Sequence, residues 1–178
     1  DLSKAQYALL NGAVVNKTEQ RAALHTELRN PQTKHLEIKK SIAQMANFVA
    51  AMQQSNYTDI IVLGIGGSDL GPRLVCEALA PYAISKQRLH FVANVDADTL
   101  IPLLKSLEPK KTICLVNSKT FTTIETLSNA KIIQTWLGSA AAQQTWAITA
   151  NGNAAEKFGI QADHIFMFWD GVGGRYSV

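Results

Sequence analysis

The sequence predicts an α/β fold, a three-layer α-β-α sandwich with a five-stranded parallel sheet, preceded by N-terminal helices. From residue 57 onward, short apolar runs alternate with helical patterns, which is typical of a parallel sheet covered by helices on both faces. The runs are continuously apolar, as expected for strands buried on both sides. The five predicted strands cover residues 60–63, 89–92, 112–116, 145–149 and 164–168.

The segments between the strands predict helices. They cover residues 70–80, 98–107 with Asp96 as the cap, a helix from residue 124, and a short helix over 154–158. The helix from residue 124 has apolar residues at three- and four-residue steps, which places them on one face: Ile124, Leu127, Ala130, Ile133 and Leu137. In such a sheet, ligand sites lie at the carboxyl ends of the strands.

Residues 1–56 carry a helical pattern without strands, and Pro31 divides it. One predicted helix runs from a cap at Thr18 to about Arg29, and a longer amphipathic helix covers residues 34–54. The apolar stripe of the longer helix consists of Ile38, Ile42, Met45, Phe48, Val49 and Met52. We therefore predict two parts, an N-terminal helical segment over residues 1–56 and an α/β domain over residues 57–178.

Composition favours a globular protein that binds small anions. The 178 residues are 47% hydrophobic and 17% charged, and the net charge is +3. The cations are scattered and no apolar run approaches the roughly 20 residues of a membrane span, so we expect neither nucleic acid nor membrane as a partner. Cys76 and Cys114 are expected to be buried free thiols in a reducing cytoplasm. His25 and His35 lack metal-spaced partners, and no metal site is predicted.

The stretch from Val116 to Thr126 follows a buried strand and opens a helix. The first backbone N–H groups of a helix have no intrahelical partner and lie at the positive end of its dipole. Hydroxyls and one cation are concentrated there, namely Ser118, Lys119, Thr120, Thr122 and Thr123. These groups could hold a phosphate dianion. Helix capping is the alternative explanation, but it needs fewer such residues.

A glycine-rich loop over residues 64–72 follows the first predicted strand. The dinucleotide-binding fingerprint fails because Asp69 occupies the position of its third glycine, and the Walker A pattern also fails. What remains is a loop whose N–H groups and Ser68 hydroxyl could bind polyol oxygens, with a tight strand–helix turn as the alternative. A second glycine-rich turn carries Arg175, whose guanidinium could stabilise an oxyanion or bind phosphate, or could simply be solvated.

Four ordered blocks in this chain resemble the glucose-6-phosphate isomerase family, and the similarity runs along nearly all of it. The blocks cover residues 16–25, 64–72, 118–126 and 173–177. The resemblance implies a sugar-isomerase (SIS) domain, no cofactor, a homodimer in the intact enzyme, and the reversible isomerisation of glucose 6-phosphate and fructose 6-phosphate, a step of glycolysis and gluconeogenesis.

The resemblance also implies roles for individual residues. Gly67 and Ser68 would contact the sugar, and Arg175 would be catalytic by offsetting negative charge on an enediolate-like intermediate. The phosphate-binding block would consist of Ser118, Lys119, Thr120, Phe121, Thr122, Thr123 and Thr126.

Two departures from the family pattern are visible. The family's proton-transferring glutamate and its ring-opening histidine and lysine lie beyond the segment matching Tyr176 and Ser177. We therefore expect a piece of a longer protein that binds sugar phosphates weakly and converts none. Gly171 stands where a bulky aromatic residue is expected, which predicts a looser turn. The alternative functions are a non-catalytic sugar-phosphate-binding regulatory module and, from the failed fingerprint alone, a nucleotide-binding domain.

Overall fold

A computed structural model of the chain describes residues 1–33 and 35–173. Within them, five parallel strands form one sheet in the order β2-β1-β3-β4-β5. The strands are β1 (Asp59–Leu63), β2 (Arg88–Val92), β3 (Thr112–Asn117), β4 (Thr145–Thr149) and β5 (Ile165–Met167). The predicted fold class is confirmed, and each strand lies within one or two residues of its predicted bounds.

Helices connect the strands and cover both faces of the sheet. They are α1 (Leu2–Leu10), α2 (Leu36–Gln54), α3 (Leu70–Ala78), α4 (Ala97–Ser106), α5 (Ile124–Leu137), α6 (Ala141–Gln144) and α7 (Gly152–Lys157). Asp96 caps α4 as predicted, because its side chain accepts a hydrogen bond from the Asp98 N–H at 3.0 Å. Helix α3 ends two residues earlier than predicted, and a 3-10 turn over Ala80–Tyr82 follows it.

The sheet separates two apolar cores. Along β1, residues Ile61 and Leu63 face the larger core, which is filled by buried side chains of α4, α5 and α7. Their neighbours Ile60 and Val62 face the smaller core, where Phe48 and Met52 of α2 pack. Since successive side chains of a strand point to opposite faces, the continuous apolar run of β1 serves both cores.

The predicted apolar faces are only partly buried. On α5, Ala130, Ile133 and Leu137 are buried and Leu127 packs against the core, but Ile124 is 77% exposed. Ile124 is the first residue of the helix, so the expectation that it joins the buried face is wrong. On α2, Ile38 is buried and Phe48 and Met52 are half-buried. The other three residues of its stripe remain exposed, namely Ile42, Met45 and Val49.

The predicted helix from Thr18 to Arg29 is wrong. Residues Asn16 and Arg21 instead pair as an isolated antiparallel bridge, and a 3-10 turn covers His25–Arg29. Thr18 does not cap a helix, because its hydroxyl donates to the Asn16 side chain at 2.9 Å. Helix α1, which has Asp1 as its cap, lies before this segment and was not located individually from the sequence. The predicted start of α2 at Lys34 lies outside the described residues.

The two cysteines differ in environment, although both are free. Cys114 is fully buried in β3, and burial raises the pKa of its thiol to about 12. Cys76 is half-buried on α3, so the expectation that it is buried is wrong. No helix among residues 1–33 and 35–173 combines the length and apolar character that a membrane span requires.

A charge cluster joins β1 and β2 at the amino end of the sheet, opposite the loops that follow the strands. The Asp59 carboxylate is buried and accepts hydrogen bonds from Arg88 Nη2 at 3.0 Å and from the Thr58 hydroxyl at 2.7 Å. Arg88 Nε forms an ion pair with the same carboxylate at 2.9 Å. His90 Nε2 lies 2.8 Å from the same carboxylate. Burial alone would raise the pKa of Asp59, but these partners outweigh it and lower the pKa from 3.8 to about 2.

We predict that Asp59 stabilises the fold above its unfolded-state pKa and that this contribution is lost as pH falls from about 4 to about 2. Asp59→Asn should lower the free energy of unfolding at pH 7 by about 1–2 kcal/mol, because the lowered pKa is a differential stabilisation of the charged form. Urea denaturation at pH 7, 4 and 2 measures this. The difference between variant and parent should shrink with acidification, whereas the exposed Asp163→Asn should show no such trend. A difference independent of pH would contradict the account.

Candidate functional site

Two loops leave the same edge of the sheet side by side. The glycine loop (Gly64–Asp69) follows β1, and the hydroxyl loop (Ser118–Thr123) follows β3. Since Leu63 pairs with Val116, the two adjacent strands reach this edge in register. Asn117, the last residue of β3, donates its side-chain amide to the Ser68 carbonyl at 2.7 Å. The two loops are therefore tied together directly.

Sequence reasoning gave Asn117 no role. The available signal was an amide residue closing an otherwise apolar strand, which often marks a side chain with a specific hydrogen-bond partner. The partner itself is 49 residues away in the chain and could be identified only from the fold.

The backbone of the hydroxyl loop is fixed by the end of β4. The Lys119 carbonyl accepts hydrogen bonds from the Ala150 N–H at 3.0 Å and the Thr149 hydroxyl at 3.1 Å. The Thr120 carbonyl accepts one from the Asn151 amide at 3.1 Å. These bonds involve backbone carbonyls and not the hydroxyls or the ammonium of the loop. The backbone of the loop is therefore held in place without a ligand.

Phe121 anchors the loop from below. Its ring is buried and packs edge-on against Phe158 with centroids 5.7 Å apart. Its φ of +54° is unusual for a bulky side chain, and this backbone geometry is associated with functional turns. The Phe121 side chain therefore packs into the larger core and supports the loop, and its role in phosphate binding stays a prediction.

The hydroxyls of the loop bond to one another instead of capping α5. Ser118 Oγ and Thr123 Oγ1 lie 3.2 Å apart, and the Thr120 and Thr122 hydroxyl oxygens lie 2.7 Å apart. Thr123 occupies the N-cap position of α5, yet within the described chain its side chain makes no capping hydrogen bond. This arrangement favours an anion site over simple capping, because the hydroxyls are clustered beside helix N–H groups that no described side chain caps.

Thr126 lies in the first turn of α5 and is almost completely buried. Its hydroxyl oxygen has no hydrogen-bond partner among the residues that the structure describes. A role in phosphate binding stays a prediction for this residue.

Lys119 places a cation at the entrance to the hydroxyl loop. The side chain is half-buried, and its ammonium donates to the Asp170 carbonyl at 2.8 Å. Burial lowers the pKa of Lys119 and the Arg21 charge lowers it further, while Glu19 and Asp170 act in the opposite direction. The ammonium is thus held in place by a backbone acceptor and surrounded by charges of both signs.

Close packing fixes the glycine loop. A Cβ on Gly64 would lie 2.5 Å from the Ser68 carbonyl oxygen, so the chain needs glycine there. The buried Asp69 carboxylate pairs with Arg73 at 2.9 Å, and the guanidinium of Arg73 stacks over Phe91 at 5.5 Å. The buried Asp69 side chain therefore stabilises the start of α3 through its ion pair with Arg73.

A cleft of about 540 Å³ opens beside both loops. Gly67, Ser68 and Lys119 line it, together with Asn117. Its other walls come from α2, α3 and the closing loop, which we define as Phe168–Gly173. The remaining predicted phosphate-binding residues do not line the cleft: Ser118, Thr120, Phe121, Thr122, Thr123 and Thr126. Among the residues that the structure describes, Lys119 is thus the one predicted phosphate-binding residue that lines the cleft together with the predicted sugar-binding residues. The hydroxyls of the hydroxyl loop lie beside the cleft rather than in it.

The closing loop is packed against the N-terminal segment. The Leu24 N–H donates to the Gly171 carbonyl at 2.8 Å, and the Gly173 N–H donates to His25 Nε2 at 3.0 Å. A Cβ on Gly171 would lie 2.7 Å from the Leu24 side chain. The expectation that Gly171 loosens this turn is therefore wrong. Arg175, the predicted catalytic residue, lies outside the described residues.

The chain is similar to known proteins of one family. The family model described as phosphoglucose isomerase matches residues 1–178. Glucose-6-phosphate isomerase of Shewanella frigidimarina is 42% identical, over 99% of this chain and 37% of its own length. A crystal structure of a glucose-6-phosphate isomerase from Chlamydia trachomatis superposes with a TM-score of 0.86 at 27% identity, over 97% of this chain and 36% of that one.

A more distant structure shares the fold alone. The sugar isomerase domain of an RpiR transcription factor from Sphaerobacter thermophilus matches with a TM-score of 0.50 at 17% identity, over 98% of this chain and 80% of that one. This chain spans just over a third of the length of the curated relatives it matches. The family match over the whole chain and the high identity lead to one conclusion: the chain belongs to the phosphoglucose isomerase family.

Proposed function

We propose that the intact protein interconverts glucose 6-phosphate and fructose 6-phosphate, and that this chain supplies its phosphate and sugar contacts. The names of the relatives support the reaction. The main support for assigning the two contacts to two loops is the Asn117–Ser68 hydrogen bond. This bond holds the glycine loop, which would bind the sugar, next to the hydroxyl loop, which would bind the phosphate. A sugar phosphate presents both groups on one small molecule.

The phosphate would bind to the hydroxyl loop. The hydroxyls of Ser118, Thr120, Thr122 and Thr123 would exchange their present mutual bonds for bonds to phosphate oxygens. The Lys119 ammonium has donors beyond the one used by Asp170, so it can bind phosphate without leaving that carbonyl. The N-terminus of α5 adds a favourable dipole. Thr126 would support this site from within α5, and Phe121 would hold the loop in shape.

The sugar would lie over the glycine loop. The backbone of Gly67 and the hydroxyl of Ser68 line the cleft next to Lys119, where they can meet the hydroxyls of a sugar whose phosphate lies in the adjacent loop. Arg175 would face the oxygens at C1 and C2, where its charge would offset the negative charge that develops on an enediolate. This role of Arg175 rests on the family resemblance.

The reaction itself needs no cofactor. From glucose 6-phosphate, a proton leaves C2 and is delivered to C1, and the hydroxyl proton of O2 is replaced by one on O1. The electron pair stays within the substrate, so no external oxidant or reductant takes part. The family assigns the proton transfer to a glutamate, and ring opening to a histidine and a lysine, beyond the segment matching Tyr176 and Ser177. We therefore propose that this chain alone binds sugar phosphate weakly and does not convert it.

The remaining expectations also belong to this proposal. Exposed apolar residues on α2 and α3, among them Ile42, Val49, Leu70 and Leu74, would be covered in the intact protein. Such surfaces are consistent with a homodimer whose subunits each contain a helical segment before residue 57 and an SIS domain after it. The free thiols support a cytoplasmic location.

We predict that Lys119→Ala combined with Thr123→Ala in the intact protein abolishes productive phosphate binding. Each charge-assisted hydrogen bond contributes about 1.5–3 kcal/mol, so kcat/KM for fructose 6-phosphate should fall roughly 100-fold or more. A coupled assay of glucose 6-phosphate formation measures this.

The matched control is Lys131→Ala with Thr135→Ala. It removes from α5 an exposed lysine and an exposed threonine that have the same separation in sequence as Lys119 and Thr123. This control should keep the parental kcat/KM. Parental kinetics in the Lys119 and Thr123 double variant would show that the phosphate site is misplaced. An intact protein that binds sugar phosphate without converting it would favour the regulatory module.

We further predict that Asn117→Ala separates the sugar contacts from the phosphate contacts. The variant frees the Ser68 carbonyl while leaving the bonds of the hydroxyl loop to β4 intact. KM for fructose 6-phosphate should rise about fivefold, the equivalent of about 1 kcal/mol. Inhibition by inorganic phosphate should remain near parental strength, and the exposed Asn153→Ala should change neither quantity. Equal losses for substrate and inorganic phosphate would refute this division.

A further inference from the structure

The N-terminal turn, Asn16–Arg21, is a rigid structure that the resemblance did not explain. Two backbone hydrogen bonds of 3.1 and 3.2 Å pair Asn16 with Arg21. The Asn16 side chain is almost completely buried, accepts from the Thr18 hydroxyl and the Glu19 N–H, and donates to the Glu19 carboxylate at 2.7 Å. The turn therefore fixes the backbone from which Glu19 and Arg21 project.

Arg21 connects this turn to the candidate site. Its guanidinium forms ion pairs with the Glu19 carboxylate and, at 3.5 Å, with the Asp170 carboxylate. The carbonyl of the same Asp170 accepts the hydrogen bond of 2.8 Å from the Lys119 ammonium. A continuous chain of contacts thus runs from the turn through Arg21 and Asp170 to the cation of the hydroxyl loop.

Among the described residues of this cluster, the positive and negative charges balance before a substrate arrives. Arg21 and Lys119 carry the positive charges, and Glu19 and Asp170 carry the negative ones. Removal of Arg21 would leave two carboxylates around a single ammonium, so the surroundings of Lys119 would become net negative. An approaching phosphate dianion would then be repelled rather than attracted.

We infer that Arg21 is a positioning residue that holds the Lys119 ammonium at the phosphate site by fixing Asp170. Two of its N–H groups are directed to the carboxylates of Asp170 and Glu19, so we assign it an action through these neighbours rather than a contact with the substrate. A guanidinium suits this task because its planar fork can bind two carboxylates at once, which an ammonium does less well. The inference rests on the proposed function, since it assigns Lys119 to a sugar phosphate.

The kinetic test uses the intact protein with Arg21→Met and Arg21→Lys. Arg21→Met should raise KM for fructose 6-phosphate about tenfold with a smaller change in kcat, because substrate binding is weakened more than the chemical step. Arg21→Lys restores the charge without the fork, so its KM should lie between those of the parent and Arg21→Met. Arg29→Met, which removes an exposed arginine of the neighbouring 3-10 turn, should behave as the parent.

A second readout observes Lys119 itself and needs no catalysis. The ε-carbon of Lys119 can be followed by NMR during a pH titration of this chain labelled with ¹³C-lysine. Arg21→Met should raise the pKa of Lys119, since it removes a neighbouring positive charge and opens the site to water, whereas Arg21→Lys should leave it near the parental value. Glu19, Asp170, His25 and Arg29, the other ionisable groups that the structure describes near this cluster, remain unchanged in both variants.

The two readouts separate this inference from the proposed function. An intact protein without isomerase activity would refute the proposed function, while a shifted pKa of Lys119 would still establish the contact. An active protein in which Arg21→Met keeps the parental KM and the parental Lys119 pKa would overturn the inference. If Arg21→Met fails to fold, Arg21→Gln serves instead, because it also removes the positive charge but keeps a polar side chain of similar length. It should likewise raise KM and the pKa of Lys119; parental values of both would overturn the inference.

Discussion

The parallel pairing of β1 with β3 determines how the candidate site is built. Because Leu63 and Val116 are register partners, the glycine loop and the hydroxyl loop begin at the same height on neighbouring strands. Neighbouring strands lie about 4.8 Å apart, a distance that one side chain can span, and the Asn117 amide does so by binding the Ser68 carbonyl. The buried apolar strands thus supply rigidity, and the polar residues that follow them supply the chemistry.

The N-terminal segment contributes to the same edge from outside the sheet. It binds the closing loop through Leu24 and His25, and it reaches the Lys119 environment through Arg21 and Asp170. Burial lowers the pKa of His25, and the positive charge of Lys119 lowers it further, which favours the neutral imidazole. A neutral imidazole can accept the hydrogen bond from the Gly173 N–H, so His25 helps to hold the closing loop against the N-terminal segment.

The sequence was informative wherever a short local pattern decides the outcome. Continuous apolar runs predicted the strands. The density of hydroxyls around Lys119 predicted a phosphate site with helix capping as the alternative, and Thr123 at the N-cap of α5 makes no capping hydrogen bond with a described residue. The sequence failed where partners are distant in the chain. The segment after Thr18 has a helical pattern, but the Thr18 hydroxyl donates to the Asn16 side chain instead of capping a helix. Arg21 donates to the Asp170 carboxylate, which lies 149 residues away in the chain. Long-range contacts of this kind override local propensity, and the local pattern of residue types does not predict them.

The central claim is that the contacts for a sugar phosphate are already assembled in this chain. A calorimetric titration of the 178-residue chain with glucose 6-phosphate, beside inorganic phosphate and plain glucose, tests it most directly. We predict weak binding that requires the phosphate and is strengthened by the sugar, because the two loops are joined before any ligand arrives. Absence of binding by all three compounds, from a chain shown to be folded, would contradict the claim and would mean that the rest of the protein is needed to form the site.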